Sequence, residues 1–445
     1  MTTPSHPGAT AVILAAGLGT RMKSALPKAA HPIAGRPMLA HLLDTCAQVF
    51  GRIAVVLGPD MPVLERLAAP CPVFIQHDRL GTAHAALQAE AAFGDGDTAI
   101  LFADNPLIRP ATLRRLLEQR LSASAGLALM AMRPGDPARY GRLVTDNGAI
   151  ARIVEWADAS PEELQITLCN AGALCAPGPR LRDWLRQIRP DNAKGEYYLT
   201  DLVGLATRDG ERVEPVEAPE AELRGINSRR ELAEAEAVVQ QALRSAAMDA
   251  GATLTAPETV FFSWDTVLGP DTVVGPNVVF GPGVTVEGPA EIRAFSHLEG
   301  CHVGAGAVVG PFARLRPGAH LGEGAHVGNF VELKATRLGA GAKVNHLTYL
   351  GDASVGPGTN IGAGTITCNY DGFAKHHTEI GGNVFVGSDS VLVAPLRIAD
   401  GAFIAAGSVI TKDVAANDLA FGRARQAVVT GGGAQFRAAR QKDKA

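Results

Sequence analysis

The sequence has no apolar run long enough to cross a membrane. A spanning helix needs about 20 consecutive apolar residues, and no stretch of this 445-residue chain approaches that length. The opening segment MTTPSHPGAT also lacks the basic start of a secretory signal. We therefore expect a cytoplasmic protein that does not engage a membrane.

Cysteine is scarce, and positive charge is not in excess. The six cysteines form no CxxC pair and no Cys/His cluster with zinc spacing, so a structural zinc site is not expected and the thiols should be reduced. The formal net charge of -4 argues against a protein that coats nucleic acid by bulk electrostatics. Small anionic ligands remain possible, because they need only local positive charge.

The first half of the chain has the pattern of an α/β domain. Apolar runs such as AVILAAG, RIAVVLG, TAILFAD and LALMAMR predict strands, and the segments HLLDTCAQVF and TLRRLLEQRL between them predict helices. This alternation predicts a Rossmann-like, parallel or mixed sheet covered by helices, over residues 1–227. Ligands of such sheets bind beyond the carboxyl ends of the strands.

Residues 228–250 predict a connecting helix. Ser228 and Glu231 fit a capping box, and the alanine-rich, charged segment that follows favours helix. The alternative is a helix packed entirely within the first domain.

Beyond this helix the sequence repeats with a period of six residues. Aliphatic or aromatic residues recur from Leu268 through Val274, Phe280 and Val286 and, after short slips of phase, continue to Ile410. An apolar residue at every sixth position, usually followed by glycine, is typical of a hexapeptide β-helix. We therefore predict a left-handed parallel β-helix over residues 251–424.

Two segments depart from this repeat. The stretch TCNYDGFAKHHTE breaks the period and is predicted to leave the coil as a loop, a position that often carries function. The tail, residues 425–445, is rich in glycine and then basic, and we expect it to be disordered.

The turn ILAAGLGTRM has the composition of an anion-binding turn. Gly17 and Gly19 follow a predicted buried strand and allow backbone N–H groups to approach an anion, while Arg21 can bind phosphate oxygens in a forked geometry. Lys28 adds a second cation a few residues later. The turn fits neither GxGxxG nor GxxxxGK[ST], and its alternative is a tight turn with a surface arginine.

These residues carry a resemblance to a known family. LAAGLGTRMKSALPK resembles the signature of sugar-1-phosphate nucleotidyltransferases, and QHDRLGTAHA, YGRLV, IVEW, NAG, NAKGEYYLTD and GINSR follow in the order of that family. In the second half, GPFARLRPGA, GNFVELK, NHLTYLGD, NIGAGTITCNYDG and FVGSDS resemble an acetyltransferase. The combination is similar to the bacterial bifunctional enzymes that make UDP-N-acetylglucosamine for peptidoglycan and lipopolysaccharide.

The resemblance implies two reactions. The second half would move acetyl from acetyl-CoA to glucosamine 1-phosphate. The first half would then join N-acetylglucosamine 1-phosphate to UTP with release of pyrophosphate. Bringing two anions together calls for positioning and charge neutralisation, and the hard cation Mg²⁺ suits that task.

For the uridylyl transfer site in the first half, the resemblance assigns Lys28 and Arg21 as catalytic residues, with Lys28 on phosphate and Arg21 near the departing phosphates. It assigns Asp104 and Asn227 to Mg²⁺. It assigns uracil to Gln76, Gly81 and Thr82, and the sugar to Gly141, Glu155 and Asn170, with Tyr198 and Thr200 nearby. The full set expected along UTP and UDP-N-acetylglucosamine is Leu14, Ala15, Ala16, Gly17, Lys28, Gln76, Gly81, Thr82, Phe102, Ala103, Asp104, Gly141, Glu155, Asn170 and Asn227. Ala103 departs from the family, which usually has glycine there, and adds a methyl group beside the ligand.

For the acetyl transfer site the resemblance assigns the role of general base to His346, since histidine titrates near neutrality. Sugar phosphate is assigned to Arg316, Lys334, Tyr349 and Asn360. Acetyl-CoA is assigned to Ala363, Asn369, Tyr370, Ser388, Ala406 and Arg423. Lys375, in the protruding loop, either helps or is simply solvated.

The resemblance also implies a homotrimer with acetyl transfer sites between neighbouring β-helices, as a closed three-fold assembly would provide. Two alternatives stay open. One is a single-activity sugar nucleotidyltransferase whose β-helix only regulates or assembles it. The other is a non-catalytic interaction protein, because translation-initiation exchange factors include subunits with the same pair of folds.

Overall fold

The computed structural model describes residues 3–137, 140–146, 149–192 and 194–442. Ala193, inside the NAKGEYYLTD motif, and residues 443–445 of the tail lie outside the described residues. The chain separates into two compact units, with the division after Gln241.

The first unit is built on a mixed sheet, and a small hairpin accompanies it. Its strands are β1 (His6–Leu14), β2 (Pro32–Ile33), β3 (Arg36–Pro37), β4 (Phe50–Leu57), β5 (Val73–Ile75), β6 (Asp97–Phe102), β7 (Leu127–Met132), β8 (Arg142–Asp146), β9 (Ala149–Val154), β10 (Cys169–Pro177) and β11 (Val213–Glu217). β2 and β3 pair only with each other, as an antiparallel hairpin.

The main sheet has the strand order β11-β7-β10-β6-β1-β4-β5, and β8 and β9 extend from β10. β1 pairs in parallel with β4 and β6, whereas β10 runs antiparallel to β6 and β7. The predicted mixed α/β sheet is confirmed. Because β1 and β6 are parallel neighbours, the segments that follow Leu14 and Phe102 emerge at the same edge, as the strand-end rule requires.

Helices cover the sheet and connect its strands. They are α1 (Met38–Ala47), α2 (Pro62–Ala68), α3 (Thr82–Gln88), α4 (Pro110–Ser122), α5 (Gly178–Gln187), α6 (Asp201–Arg208), α7 (Glu220–Leu223) and α8 (Arg229–Asp249). Short 3-10 segments occur at Thr20–Met22, Lys28–Ala30, Glu90–Ala92 and Glu163–Gln165.

The first predicted helix ends earlier than its sequence pattern suggested. α1 stops at Ala47, and Phe50, which the helical pattern included, instead begins β4. In α2, α4 and α5 a proline stands in the first turn, where its missing N–H costs no hydrogen bond. Apolar side chains pack against both faces of the sheet; Ile13 and Leu101 lie in one layer, Ile100 and Trp184 in the other.

α8 is the helix predicted to connect the two halves. Half of the predicted capping box is present, because the N–H of Glu231 donates to the hydroxyl oxygen of Ser228 at 3.3 Å, whereas the Glu231 carboxylate accepts the N–H of Asn227 and not that of Ser228. Ala235 is buried in the first unit with Ile33 and Met38. The last part of the helix belongs to the second unit, where Leu243 packs against the β-helix core.

The second unit is a left-handed parallel β-helix, and all its described strand pairs are parallel. Ten strands stack on one face: Thr253–Leu254, Thr272–Val274, Ala290–Ile292, Val308–Val309, His326–Asn329, Lys343–His346, Asn360–Ile361, Phe385–Val386, Phe403–Ile404 and Leu419–Ala420.

A fourteen-stranded sheet forms the other two faces. Its strands are Val267–Leu268, Val279–Phe280, Thr285–Val286, His297–Leu298, His302–Val303, Arg314–Leu315, His320–Leu321, Glu332–Leu338, Tyr349–Val355, Ile366–Cys368, Thr378–Ile380, Val391–Val393, Leu396–Ile398 and Val409–Ile410. The two long strands, Glu332–Leu338 and Tyr349–Val355, bend around a corner and join the two faces. A 3-10 segment, Pro257–Thr259, lies near the start of the unit.

The six-residue period corresponds to the side chains that point inward. Val274, Ile292 and Val309 stack on successive coils of the ten-stranded face and are fully buried. The series is buried throughout apart from Leu268, which is half-buried at the first coil. One side chain per face per coil is enough to fill the prism, which is why the pattern alone specified this fold.

The loop that interrupts the β-helix is shorter than the segment in which the six-residue period is broken. Ile366–Cys368 and Thr378–Ile380 are strands of the coil, so only the residues between them protrude. Phe373 at the loop tip is almost fully exposed. The tail differs from the expected disorder: it contains helix α9 (Gly432–Lys442), whose sequence is rich in good helix formers.

In the described part of the chain, none of the helices is both long and apolar enough to span a bilayer. All six cysteines are free thiols. Burial raises the pKa of Cys301 to about 12 and also raises that of Cys46 and Cys175, so these thiols are kept protonated inside the protein.

Candidate active sites

The glycine turn after β1 forms one wall of a cavity in the first unit. Gly17 has open space where a side chain would stand, so the backbone is exposed to a ligand there. Gly19 has a φ of +63°, and a β-carbon on it would lie 2.6 Å from the β-carbon of Lys28. Gly19 is therefore needed both for its left-handed conformation and for the close approach of the Lys28 side chain.

Most residues predicted for the nucleotide line this cavity, which has a volume of about 350 Å³. They come from the end of β1 and the turn after it, the 3-10 segment that begins at Lys28, the segment after β5, and the end of β6: Leu14, Ala15, Ala16, Gly17, Lys28, Gln76, Gly81, Thr82, Phe102, Ala103 and Asp104. The structure thus brings together residues that are as much as 90 positions apart.

The predicted uracil segment is held in place by its own hydrogen bonds and by the motif that contains Tyr197. The buried amide of Gln76 donates to the carbonyl oxygen of Gly81 at 3.0 Å. Gly81 has a φ of +119°, and a β-carbon there would lie 2.5 Å from the carbonyl oxygen of Tyr197. The N–H of Leu199 donates to the hydroxyl of Thr82 at 2.9 Å. A side chain at position 81 would therefore force these two segments apart.

Lys28, Asp104 and Asn227 meet at one point. The Lys28 ammonium donates to Asp104 Oδ2 at 2.5 Å and to Asn227 Oδ1 at 3.0 Å. A carboxylate oxygen and an amide oxygen thus already face a common cation. These two donors fit Mg²⁺, which binds few protein oxygens and completes its shell with phosphate and water oxygens. Among the described residues no larger His, Cys, Asp or Glu group is placed to hold a metal.

The start of α8 positions Asn227. The Glu231 carboxylate accepts the backbone N–H of Asn227 at 2.6 Å, so the cap of the helix also holds the predicted metal ligand. Asn227 borders a second cavity of about 620 Å³ together with Arg21 and Arg224. Arg21 therefore lines this second cavity and not the nucleotide cavity, and Asn227, which also lines it, accepts a hydrogen bond from Lys28.

A third cavity, of about 490 Å³, contains the predicted sugar residues Glu155, Asn170, Tyr198 and Thr200. Thr82 and Phe102 line both this cavity and the nucleotide cavity, so the two are neighbours. Gly141 is not part of the cavity lining. It is held behind it, because its carbonyl accepts the N–H of Asn170 at 2.8 Å.

Two titratable groups that line the sugar cavity, Glu155 and Tyr198, have pKa values raised by burial. Burial raises the pKa of the Glu155 carboxyl, and the hydroxyl of Thr200, which donates to it at 3.2 Å, opposes that change only in part. A carboxylate in these surroundings is short of hydrogen-bond donors, and sugar hydroxyls can supply them.

Ala103 makes a backbone hydrogen bond at the edge of the sheet that a glycine at this position could also make. Its N–H donates to the carbonyl of Leu14 at 3.0 Å, and its side chain is buried along the nucleotide cavity. The backbone course is therefore intact, and the departure from the family consists of a methyl group on the cavity wall.

Several cavity residues were not assigned from the sequence. Arg79 donates to the carbonyl of Ala16 at 3.0 Å and lines the nucleotide cavity. Glu196 borders both the nucleotide and sugar cavities, and Lys194 borders the sugar cavity. All three lie inside the motifs QHDRLGTAHA and NAKGEYYLTD, so position within a motif was the available signal.

In the second unit, the predicted phosphate-binding cations lie on successive coils. Arg316 donates to Glu332 at 2.9 Å, and Lys334 donates to Asp352 at 3.4 Å. Lys375, from the protruding loop, lies beside Lys334, and contact with this second ammonium group lowers the pKa of Lys375. The loop lysine therefore lies next to the cation cluster, and its role stays a prediction.

Tyr349 and Asn369 lie beside this cluster. A β-carbon on Gly351 would lie 2.3 Å from the Tyr349 hydroxyl oxygen and 2.7 Å from Asn369 Nδ2, so glycine leaves room for both groups. Asn369 also donates to Asp352. Tyr370 is exposed on the loop, and its hydroxyl donates to the carbonyl of Gly372. No described contact joins Asn360 to this cluster; it stands on the ten-stranded face, between Lys343 and Phe385.

His346 ends a strand of the ten-stranded face and is exposed. Residues predicted to bind acetyl-CoA follow His346 along one corner of the coil. The carbonyl oxygen of Ala363 accepts the N–H of Asp389, which is next to Ser388. The carbonyl oxygen of Ser388 accepts the N–H of Gly407, which is next to Ala406. A β-carbon on Gly407 would lie 3.7 Å from Arg423 Cδ. The structure therefore lines up Ala363, Ser388, Ala406 and Arg423 below His346.

Comparison with known proteins agrees with both units. Residues 11–192 match the MobA-like NTP transferase domain, and residues 300–335 and 377–412 match the bacterial transferase hexapeptide (six repeats). A UDP-glucose pyrophosphorylase complexed with UDP-glucose aligns with 52% of this chain and 98% of its own, at 19% identity and a TM-score of 0.44.

Similar proteins extend over nearly the whole chain. The bifunctional protein GlmU of Gluconacetobacter diazotrophicus is 65% identical, with 99% of this chain and 96% of the relative aligned. Those of Granulibacter bethesdensis and Acidiphilium cryptum are 62% and 59% identical, with 95% and 97% of this chain and 95% and 99% of the relative aligned. At this identity and coverage, the chain belongs to the family of bifunctional GlmU proteins.

Proposed function

We propose that the two units catalyse consecutive steps in the synthesis of UDP-N-acetylglucosamine, a precursor of peptidoglycan and lipopolysaccharide. The β-helix unit acetylates glucosamine 1-phosphate with acetyl-CoA, and the first unit then joins the product to UTP with release of pyrophosphate. The observation that carries the proposal is the meeting of Lys28, Asp104 and Asn227 at the nucleotide cavity, in a chain whose other unit places His346 above a row of predicted acetyl-CoA residues.

For uridylyl transfer, the sugar phosphate oxygen attacks the α-phosphorus of UTP, and the bond to the β-phosphate oxygen breaks. Lys28 neutralises phosphate charge in the nucleotide cavity, and Arg21 faces the departing pyrophosphate. Gln76, Gly81 and Thr82 hold uracil, and Glu155 and Asn170 orient the sugar. Mg²⁺, held by Asp104 and Asn227, supplies further charge neutralisation when bound.

For acetyl transfer, the amine nitrogen of glucosamine 1-phosphate attacks the thioester carbonyl carbon. The carbon–sulfur bond breaks, coenzyme A leaves as the thiol, and the nitrogen becomes part of an amide. His346 accepts the proton that the amine loses and passes it to the departing sulfur, which is how coenzyme A leaves as the thiol. Arg316, Lys334 and Lys375 neutralise the sugar phosphate, while Tyr349 and Asn360 orient the sugar. Ala363, Asn369, Tyr370, Ser388, Ala406 and Arg423 bind acetyl-CoA.

We further propose that the active form is a cytoplasmic homotrimer assembled through the β-helix. An exposed aromatic ladder supports this proposal: Phe295, Phe312 and Phe330 stack on successive coils with ring centroids 4.9 and 5.2 Å apart, and each is about half exposed. A contiguous aromatic surface of this kind is typical of a protein–protein interface. The ladder leads to Leu347, the residue after His346, so a neighbouring copy would cover the region beside the acetyl transfer site.

A single incubation tests both activities. The protein is mixed with glucosamine 1-phosphate, acetyl-CoA, UTP and Mg²⁺, and the products are analysed by mass spectrometry. UDP-N-acetylglucosamine is the expected product, and its formation also shows that the methyl group of Ala103 is tolerated. Accumulation of N-acetylglucosamine 1-phosphate alone would contradict the assignment of the first unit.

One variant and one binding measurement separate this proposal from its alternatives. His346→Ala should abolish acetyl transfer and spare uridylyl transfer, whereas uridylyl transfer without any acetyl transfer in the wild-type protein would support a β-helix that only regulates or assembles the enzyme. Magnesium-dependent binding of UTP to the wild-type protein would exclude a non-catalytic interaction protein.

A further inference from the structure

His346 is in contact with an amide side chain to which no role has been assigned. Asn329 and His346 end neighbouring parallel strands and are paired in register. Both precede a residue in the left-handed conformation, Phe330 with a φ of +55° and Leu347 with a φ of +48°. The backbone therefore turns in the same way after each residue, and their side chains leave the coil side by side. His346 Nδ1 and Asn329 Oδ1 are 2.8 Å apart.

This contact determines which imidazole nitrogen can accept a proton. An amide oxygen only accepts hydrogen bonds, so Nδ1 must carry the proton that lies between it and Asn329 Oδ1. A neutral imidazole has one N–H, and the second nitrogen, Nε2, then has a free lone pair. In the described part of the chain Nε2 has no hydrogen-bond partner, and the side chain is exposed.

We infer that Asn329 is a positioning residue for acetyl transfer: it holds His346 in the tautomer whose Nε2 can take the proton from the attacking amine. The inference rests on the proposed role of His346 as the general base. A base oriented by a third group is a recurring arrangement in enzymes that move protons. Asn329 touches neither substrate in this scheme and acts only through His346.

Three charged or titratable groups lie near His346, and none of them competes with Asn329 for its Nδ1 in the described part of the chain. Lys343 lies on the same strand, His326 on the strand that carries Asn329, and Asp389 on a following coil. No described hydrogen bond joins any of these three groups to His346. His326 instead contacts Asn345, with its Nδ1 2.6 Å from Asn345 Oδ1. That second imidazole–amide pair provides a matched control next to the site.

The test uses two substitutions of Asn329 in the full-length protein. Asn329→Leu keeps a similar volume but removes the acceptor, and kcat for acetyl transfer should fall about 10- to 100-fold. This loss is a part of the roughly 100- to 10,000-fold rate acceleration that a general base supplies. The KM values for acetyl-CoA and glucosamine 1-phosphate should stay within about threefold, because binding is untouched.

Asn329→Asp is the informative rescue. A carboxylate accepts the same Nδ1–H, so kcat on the high-pH plateau should stay within about threefold of wild type. The carboxylate also stabilises the protonated ring, and the base must lose that proton before it can act. The pH at which acetyl transfer reaches half its plateau should therefore rise in Asn329→Asp and stay unchanged in the control variant His326→Gln.

The possible outcomes separate the inference from the proposed function. A loss in Asn329→Leu together with rescue and an alkaline shift in Asn329→Asp supports the positioning role. If Asn329→Leu keeps its kcat, or if both substitutions are equally impaired without a pH shift, the positioning role is refuted. Persistence of acetyl transfer in His346→Ala would refute the proposed base itself. Uridylyl transfer, measured on every variant, reports whether the protein is folded.

Discussion

Replacing Lys28 by methionine removes the one cation that links the two predicted magnesium ligands. The Lys28 side chain is largely buried, with 18% of it exposed, so solvent screens its interactions weakly. Methionine keeps the length and the apolar contacts of the side chain while removing the charge. The substitution therefore tests the ammonium itself, and not the packing around the 3-10 segment Lys28–Ala30.

The expected loss follows from the contacts. A hydrogen bond to a charged partner contributes about 1.5 to 3 kcal/mol, and the ammonium is within reach of both Asp104 and the phosphates of a nucleotide in the same cavity. Losing the phosphate contact and the support of Asp104 should raise the barrier by about 3 to 5 kcal/mol, which is roughly a 100- to 5,000-fold fall in kcat/KM for uridylyl transfer. Acetyl transfer should be unchanged, because its residues lie in the other unit.

The assay measures pyrophosphate release from UTP and, separately, acetylation of glucosamine 1-phosphate on the same preparation. Lys23→Met is the matched control: Lys23 is an exposed lysine on the preceding turn, and its side chain is not part of the nucleotide cavity lining. Uridylyl transfer within about threefold of wild type in Lys28→Met would refute the assigned role. Equal loss of both activities would show instead that the substitution unfolds the protein.

Three further predictions follow from local geometry. Gly81→Ala should lower the free energy of unfolding by about 2 to 4 kcal/mol, because the new methyl group meets the carbonyl of Tyr197 in a backbone conformation that alanine disfavours. Thermal unfolding should show this loss, and the KM for UTP should rise. An unchanged melting temperature would contradict the prediction. Burial raises the pKa of Glu155, so ionisation of this carboxyl costs folding free energy, and this cost is absent at acidic pH and complete once the pH exceeds the raised value. The melting temperature of Glu155→Gln relative to wild type should therefore increase from pH 4 to pH 8, and a constant difference would refute the cause given. Phe312→Glu should dissociate the proposed trimer, as measured by light scattering after size-exclusion chromatography, and an unchanged mass would show that the aromatic ladder is not the interface.

The β-helix was the part of the fold that could be predicted most completely. Each coil needs one inward side chain per face, so the sequence carries the pattern directly, and residues such as Val309 and Leu333 are buried where the period places them. The slips in phase occur where coils differ by one residue in length. The α/β unit could be predicted in class and in its main strands, because buried parallel strands are short apolar runs.

The contacts within the sites could not be predicted in the same way. Arg79 binds the carbonyl of Ala16, and Glu196 borders two cavities, only because the fold brings loops that are far apart in sequence to the same place. The pair formed by Asn329 and His346 depends on the exact register between two coils, and the same sequence shifted by one residue would separate the two side chains. Periodicity specifies which side chains face inward, but it does not specify which exposed side chains meet.

Both proposed active sites follow the same physical rule. In each, the residue assigned to the chemistry stands at the end of a regular element or just before one, and a polar side chain of a neighbouring element holds it: Glu231, at the start of α8, binds the N–H of Asn227, and Asn329 binds the ring of His346. Ends of strands and helices expose functional groups, but they also leave them more freedom than the interior does. Each supporting residue restricts that freedom through one hydrogen bond. Substituting them should therefore lower kcat while leaving the fold intact, a result that neither a purely structural role nor direct substrate binding would give.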